Sequence, residues 1–145
     1  MKRSPLVVLV VALMAAATFT VLPTQQPAAA DSKSEEVLHE TMETLGKNYR
    51  LVRRQMGKAD MNADTADKLA EMIDAAHQAK TAIPDTATTG DLKTKYRVIM
   101  NKLIIILAQA ENAALEGDQD KLREYVLDAN NVKGEGHELF IADDE

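Results

Sequence analysis

Two side chains of this sequence have the chemistry of metal ligands and stand far apart along the chain. Met42 carries a thioether, and His137, close to the C-terminus, carries an imidazole. A thioether and an imidazole are the axial pair that holds haem iron in many electron-transfer cytochromes. The pair predicts such a site only if the elements around it bring the two side chains to one place.

Apolar residues at alternating steps of four and three predict the helices that position these side chains. The pattern predicts helices over residues 33–56, 63–82, 91–116 and 118–140, with a linker at 58–62 and a loop at 84–90. Asp31 or Ser32 is expected to cap the first helix, and Pro84 to end the second. The apolar run at 103–107 lies inside a long periodic stretch without turn signals, which favours a buried helix over a strand.

The short connection between the last two helices indicates how the helices are arranged. Gly117 suits the left-handed position after a helix, and Asp118 can cap the next one. Helices joined this closely are antiparallel neighbours, so we predict an all-α, up-down-up-down four-helix bundle. In that topology the start of the first helix and the end of the fourth meet at one end. His137 lies on the helical line of Val126 and should point at the core, as Met42 does.

The N-terminal segment has the layout of a secretory signal peptide. Lys2 and Arg3 precede a short apolar run, and Ala28, Ala29 and Ala30 precede a natural cleavage point. We therefore predict a signal over residues 1–30, a bundle domain over 31–145 and a periplasmic location. An uncleaved anchor is the alternative, because further apolar residues follow the first run.

Charge and cysteine content restrict the partners. Removal of Lys2 and Arg3 with the signal takes the formal net charge from −6 to −8. This acidity argues against nucleic acid and against stable membrane association, and it permits a basic redox partner. The chain has no cysteine, which excludes disulfides, iron–sulfur clusters and thioether-linked haem.

The residues around Met42 resemble the opening of the cytochrome b562 family. The resemblance rests on residues 39–45, which read His-Glu-Thr-Met-Glu-Thr-Leu, on Asn48, and on a histidine near the end of the fourth helix. It implies one non-covalent haem b, periplasmic electron transfer and axial ligation by Met42 and His137, and it supplies part of the topology. Related cytochromes c-prime carry two cysteines where this chain has Lys133 and Gly136, and Lys133 would instead face a haem propionate. The side chains expected to line the pocket are Leu38, Leu45, Tyr49, Tyr96, Val132, Gly136 and Phe140.

Other interpretations of the same residues stay open at this point. Met42 fits plain core packing, His137 fits a helix-end histidine stabilised by the dipole, and His39 could replace Met42 in a bis-histidine site. A di-iron bundle needs two Glu-x-x-His motifs, and only Glu36 with His39 forms one. No nucleophile with an adjacent base is evident, so no enzyme is predicted. The runner-up function is a haem-free exported bundle that acts as a binding or interaction module.

Overall fold

Four helices make up the fold of this chain. The structure, a computed structural model, describes residues 28–57 and 63–141. It contains α1 (Ala28–Gly57), α2 (Ala63–Ala79), α3 (Gly90–Glu116) and α4 (Gln119–Phe140). No strand occurs within these two ranges, so the predicted all-α class is confirmed.

Consecutive helices pack side by side in antiparallel pairs. Gln55 near the end of α1 donates to Asp64 at the start of α2, and Lys102 in α3 pairs with Glu135 in α4 at 3.2 Å. Extensive packing joins α1 to α2, α2 to α3 and α3 to α4, whereas α1 and α4 touch only lightly. The up-down-up-down bundle is confirmed, and it brings the start of α1 and the end of α4 to the same end.

The connection between α3 and α4 follows its predicted chemistry. Gly117 adopts φ 73°, and its N–H bonds the carbonyls of Ala113 and Ala114. Asp118 caps α4 by accepting from the N–H of Lys121 at 3.1 Å. Its hydrogen bonds with the side chain and backbone of Lys121 hold the pKa of Asp118 below its ordinary value. These local signals therefore set the antiparallel turn.

Two predicted boundaries are wrong. α1 begins at Ala28, so Asp31 and Ser32 lie inside the helix rather than at its start; three consecutive alanines are strong helix formers and extend it. α2 ends at Ala79 instead of residue 82, because Thr81 donates its N–H and its hydroxyl to the Gln78 carbonyl and tightens the chain before the proline. Residues 1–27, which hold most of the predicted signal, and the predicted linker at 58–62 lie outside the described residues.

The core is aliphatic, as the scarcity of aromatic residues predicts. Its most deeply buried side chains include Leu69, Leu107, Leu122 and Val52. Near the end of the bundle the ring of Tyr96 packs edge-on against Phe140, with 5.4 Å between ring centroids. The Tyr96 hydroxyl donates to the Ala79 carbonyl at 2.7 Å and so fixes the end of α2 to α3.

We expect Tyr96 to make the fold sensitive to alkaline pH. Burial raises the pKa of Tyr96 to about 12 from an ordinary value of 10.0. The unfolded chain loses this proton first, so the stabilising contribution is complete below pH 10 and disappears as the pH rises toward 12. Tyr96→Phe should cost about 1 kcal/mol at neutral pH through the lost hydrogen bond. Urea unfolding across this pH range should show that the difference in free energy of unfolding between wild type and variant becomes smaller as the pH rises.

The half-buried Tyr125 provides a matched control for this experiment. Tyr125→Phe should leave the alkaline loss of stability as it is in the wild type. An unchanged gap between wild type and Tyr96→Phe at high pH would contradict the prediction.

Among the described residues, only α3 is long and apolar enough to cross a membrane by length and composition. It packs between α2 and α4, and a core helix of a bundle passes the same test. Within its apolar run Leu107 is buried, whereas Ile105 is 60% exposed. The run is therefore not enclosed on all sides, and the role of α3 in this fold is that of a packed core helix.

Candidate functional site

Met42 lies on the edge of α1 that faces α4. Two contacts define the sides of α1: Asn48 donates to the Glu71 carboxylate of α2 at 2.8 Å, and the Tyr49 hydroxyl donates to the Val126 carbonyl of α4 at 3.5 Å. Met42 precedes Tyr49 by two helical turns and therefore shares its side. The side chain is 40% exposed, so the prediction that Met42 points at the core is wrong: it lies at the edge of the apolar face of α1.

His137 lies on the edge of α4 that faces α1. Gly136 marks the α3 side of the helix, because an added Cβ there would stand 3.6 Å from the side chain of Ile99. His137 follows Val126, the residue that Tyr49 contacts, by about three turns and lies on the same line of α4. The helix continues through Gly134 and Gly136 to Phe140, so the line is unbroken. The His137 side chain is nevertheless exposed, so the prediction that it points at the core is wrong: it lies at the edge of the apolar face of α4 rather than at its centre. Because the helices are antiparallel, both candidate ligands lie toward the same end of the bundle.

The boundary between α1 and α4 is more loosely packed than the boundaries between the other adjacent helices. We call it the α1–α4 seam: the facing edges that carry Met42, Tyr49, Val126 and His137. In the described part of the chain, the hydrogen bond across this seam is the long one from the Tyr49 hydroxyl to the Val126 carbonyl. Among the adjacent helix pairs in the described part of the chain, α1 and α4 are therefore the pair that packs least tightly.

The electrostatics of His137 suit a metal ligand. Partial burial, and then the ammonium of Lys133 one turn earlier, lower the pKa of His137 below its ordinary value of 6.5. The neutral imidazole, which has a free nitrogen lone pair, is therefore the main form at neutral pH. The influence of Lys133 also shows that a cation stands beside the candidate ligand.

Five of the other predicted pocket residues fall into two groups, and Val132 is buried on α4. Leu45 is buried, and Leu38 and Tyr49 are half-buried, on the Met42 side of α1. Phe140 and Tyr96 are buried against each other instead, and the Phe140 carbonyl accepts from Thr86 at 2.8 Å. The first group borders the seam directly, whereas the aromatic pair belongs to the core behind it.

His39 stands about one turn before Met42 on α1, further toward the outer side of the helix. It precedes Asn48 by two and a half turns, which places it opposite α2 with its side chain exposed. His77 is likewise exposed. Within residues 28–57 and 63–141, no three histidine, aspartate or glutamate side chains converge on a possible metal position.

Two surface grooves lie elsewhere on the bundle, and no motif or pattern in the sequence predicts either of them. One, of about 250 Å³, lies between α1 and α2 and includes Glu40, Glu71 and Asp74. The other, of about 300 Å³, lies between α3 and α4 and includes Val98 and Leu139. Neither groove contains Met42 or His137.

An antiparallel bundle with a methionine and a histidine on facing edges of its first and last helices has the layout of the haem-binding bundle class. The family model described as Cytochrome b562 matches residues 37–140, a range that includes both Met42 and His137. The chain belongs to the cytochrome b562 family, a family of haem-binding electron carriers rather than enzymes. No curated protein and no solved structure gives a significant match.

Proposed function

We propose that this chain binds one haem b non-covalently in the α1–α4 seam and carries electrons. The Sδ atom of Met42 and a ring nitrogen of His137 would be its axial ligands. The observation that carries this proposal is the placement of the two side chains on facing edges of the one loosely packed helix pair. Membership of the cytochrome b562 family supports it independently.

The donor atoms and their surroundings fit the group. Met42 offers a soft thioether, and His137 is held mostly in the neutral form that ligates. Bound haem supplies one-electron redox chemistry, and filling both axial positions leaves no open site for a substrate. The chain has no cysteine, so attachment rests on these two ligands and on packing.

Neighbouring side chains would determine the orientation of the group. Leu38, Leu45 and Tyr49 provide an apolar wall on the α1 side, and Phe140 closes the core behind it. Lys133 is exposed and acts electrostatically on His137, which supports a role in which its ammonium would offset the charge of a propionate. Leu45, Tyr49, Lys133 and Phe140 are thus the proposed cofactor-binding residues beyond the ligands.

The place of action is part of the same proposal. A basic start, an apolar run and small residues before Asp31 support export through a signal peptide and action in the periplasm. The acidic net charge permits a basic redox partner and argues against nucleic acid or stable membrane association after cleavage. Family membership is consistent with a periplasmic location.

A haem titration of the purified chain tests the proposal. We expect sharp low-spin absorption bands that saturate at one haem per chain and shift reversibly on reduction. Broad free-haem absorption without saturation would contradict it. That result would instead favour the haem-free bundle acting as an interaction module.

A further inference from the structure

Six charged residues form one stripe along the outer side of α1. We call them the charged stripe: Glu36, Glu40, Glu43, Lys47, Arg50 and Arg54. Their steps of four and three place them on one helical face, opposite the core-facing residues Leu45 and Val52. All six are exposed, and none forms an ion pair with another described residue. Glu40 also borders the groove between α1 and α2, and Lys47 acts electrostatically on Glu71 of α2, so these two lie at the α2 edge of the stripe.

The order of charges along this stripe is not explained by the helix itself. Three acids precede three bases, but the helix dipole acts only on the first and last turns, and only Arg54 lies in one of them. Glu36 with Glu40, and Arg50 with Arg54, are like charges four residues apart, an arrangement that destabilises an isolated helix. Only Glu43 and Lys47 have the spacing of an attractive intrahelical pair.

A second copy of the same helix complements this order. Consider two copies of α1 that run antiparallel, with the two-fold axis at the height of Leu45 in both. Glu36 of one copy then faces Arg54 of the other. In the same register Glu40 faces Arg50, and Glu43 faces Lys47. The two-fold axis repeats each pair, so every charge of both stripes meets its opposite. We propose that the charged stripe is the interface of an antiparallel homodimer.

The strength expected of this dimer follows from its chemistry. Each exposed ion pair raises an association constant by a factor of about 1.4 to 5, so six pairs together contribute between about tenfold and about ten-thousandfold. The stripe has no large apolar centre, so the dimer is weak and sensitive to salt. It also lies away from the side of Met42 and leaves the α1–α4 seam accessible, so the proposal does not depend on haem.

Sedimentation of the full chain, with and without added haem, measures this association. We expect the dimer dissociation constant to rise at least about tenfold between roughly 10 mM and 500 mM salt. The triple variant Glu36→Lys, Glu40→Lys, Glu43→Lys carries an all-basic stripe and should be monomeric. The triple variant Lys47→Glu, Arg50→Glu, Arg54→Glu carries an all-acidic stripe and should also be monomeric. An equimolar mixture of the two should form a heterodimer.

A control variant separates the stripe from overall charge. Glu116→Lys, Glu124→Lys and Asp128→Lys make the same change of net charge at exposed positions on α3 and α4. This variant should still dimerise, and it should not associate with the all-acidic stripe variant more tightly than the wild type does. Circular dichroism confirms that each variant is folded. A wild type that is monomeric up to about 1 mM at low salt, a stripe variant that still dimerises, or a mixture that does not associate would each overturn the proposal.

Discussion

His137→Ala should abolish saturable haem binding by this chain. Loss of a partner in the outer shell of a metal site already costs about 10- to 100-fold in affinity, and loss of a direct ligand costs more. His39 lies on α1 and His77 on α2, so neither of the other described histidines can replace His137 as a ligand from α4. The measurement is the haem titration, with the saturating low-spin bands as the readout.

Met42→Ala should have a different signature in the same titration. His137 remains as a ligand, so haem is still bound, but the sharp low-spin bands disappear because one axial position is empty. Met42 is 40% exposed, so its truncation should leave the unfolding of the haem-free chain nearly unchanged. A loss of the low-spin bands in a variant that still folds therefore reports the loss of an axial ligand rather than misfolding.

His39→Ala is the matched control for both ligand variants, since it removes an imidazole from the same helix. Its spectrum should equal that of the wild type. Low-spin bands that persist in Met42→Ala and vanish in His39→Ala would instead assign the axial position to His39. Bands that persist in His137→Ala would contradict the proposed site altogether.

Leu122→Ala should destabilise the bundle by about 2–5 kcal/mol, the range for large-to-small changes of fully buried leucine. Leu122 is among the side chains with no exposed surface, and it lies in the first turns of α4. Its removal leaves a cavity that the surrounding aliphatic side chains can fill only in part. Urea unfolding followed by circular dichroism gives the free energy of unfolding.

Leu127→Ala provides the matched control on the same helix. Leu127 is 58% exposed, so the same chemical change removes little buried surface and should shift stability by less than about 0.5 kcal/mol. Equal losses of stability in the two variants would show that the face of α4 that carries Leu122 is not the buried one.

Local signals explain why much of this architecture could be predicted. The left-handed Gly117 and the Asp118 cap act within a few residues, so the turn between α3 and α4 is determined by its own sequence. The helical spacing to Val126 predicted the line of α4 on which His137 lies, but it did not predict that the side chain is exposed. Tertiary contacts were harder to predict: the Tyr96–Phe140 pair depends on residues that are distant in the chain, and so does the early end of α2 that Tyr96 secures.

The openness of the seam could not be predicted, because it depends on how firmly the other three helix pairs hold together. Periodicity shows which face of a helix is apolar, but not which neighbour it prefers. The hydrogen bond of the buried Asn48 could not be predicted for the same reason. The pattern of apolar residues in α1 does not show that Asn48 faces Glu71 on α2.

The uneven packing of the bundle has a kinetic consequence. α1 is held by α2, and α4 by α3, so separating α1 from α4 breaks few contacts and leaves both hairpins intact. Local openings of this kind need far less free energy than global unfolding. The residence time of a molecule held between α1 and α4 would then be set by its own bonds to the protein rather than by the melting of the fold. A chain built in this way can receive and release its cargo while staying folded throughout.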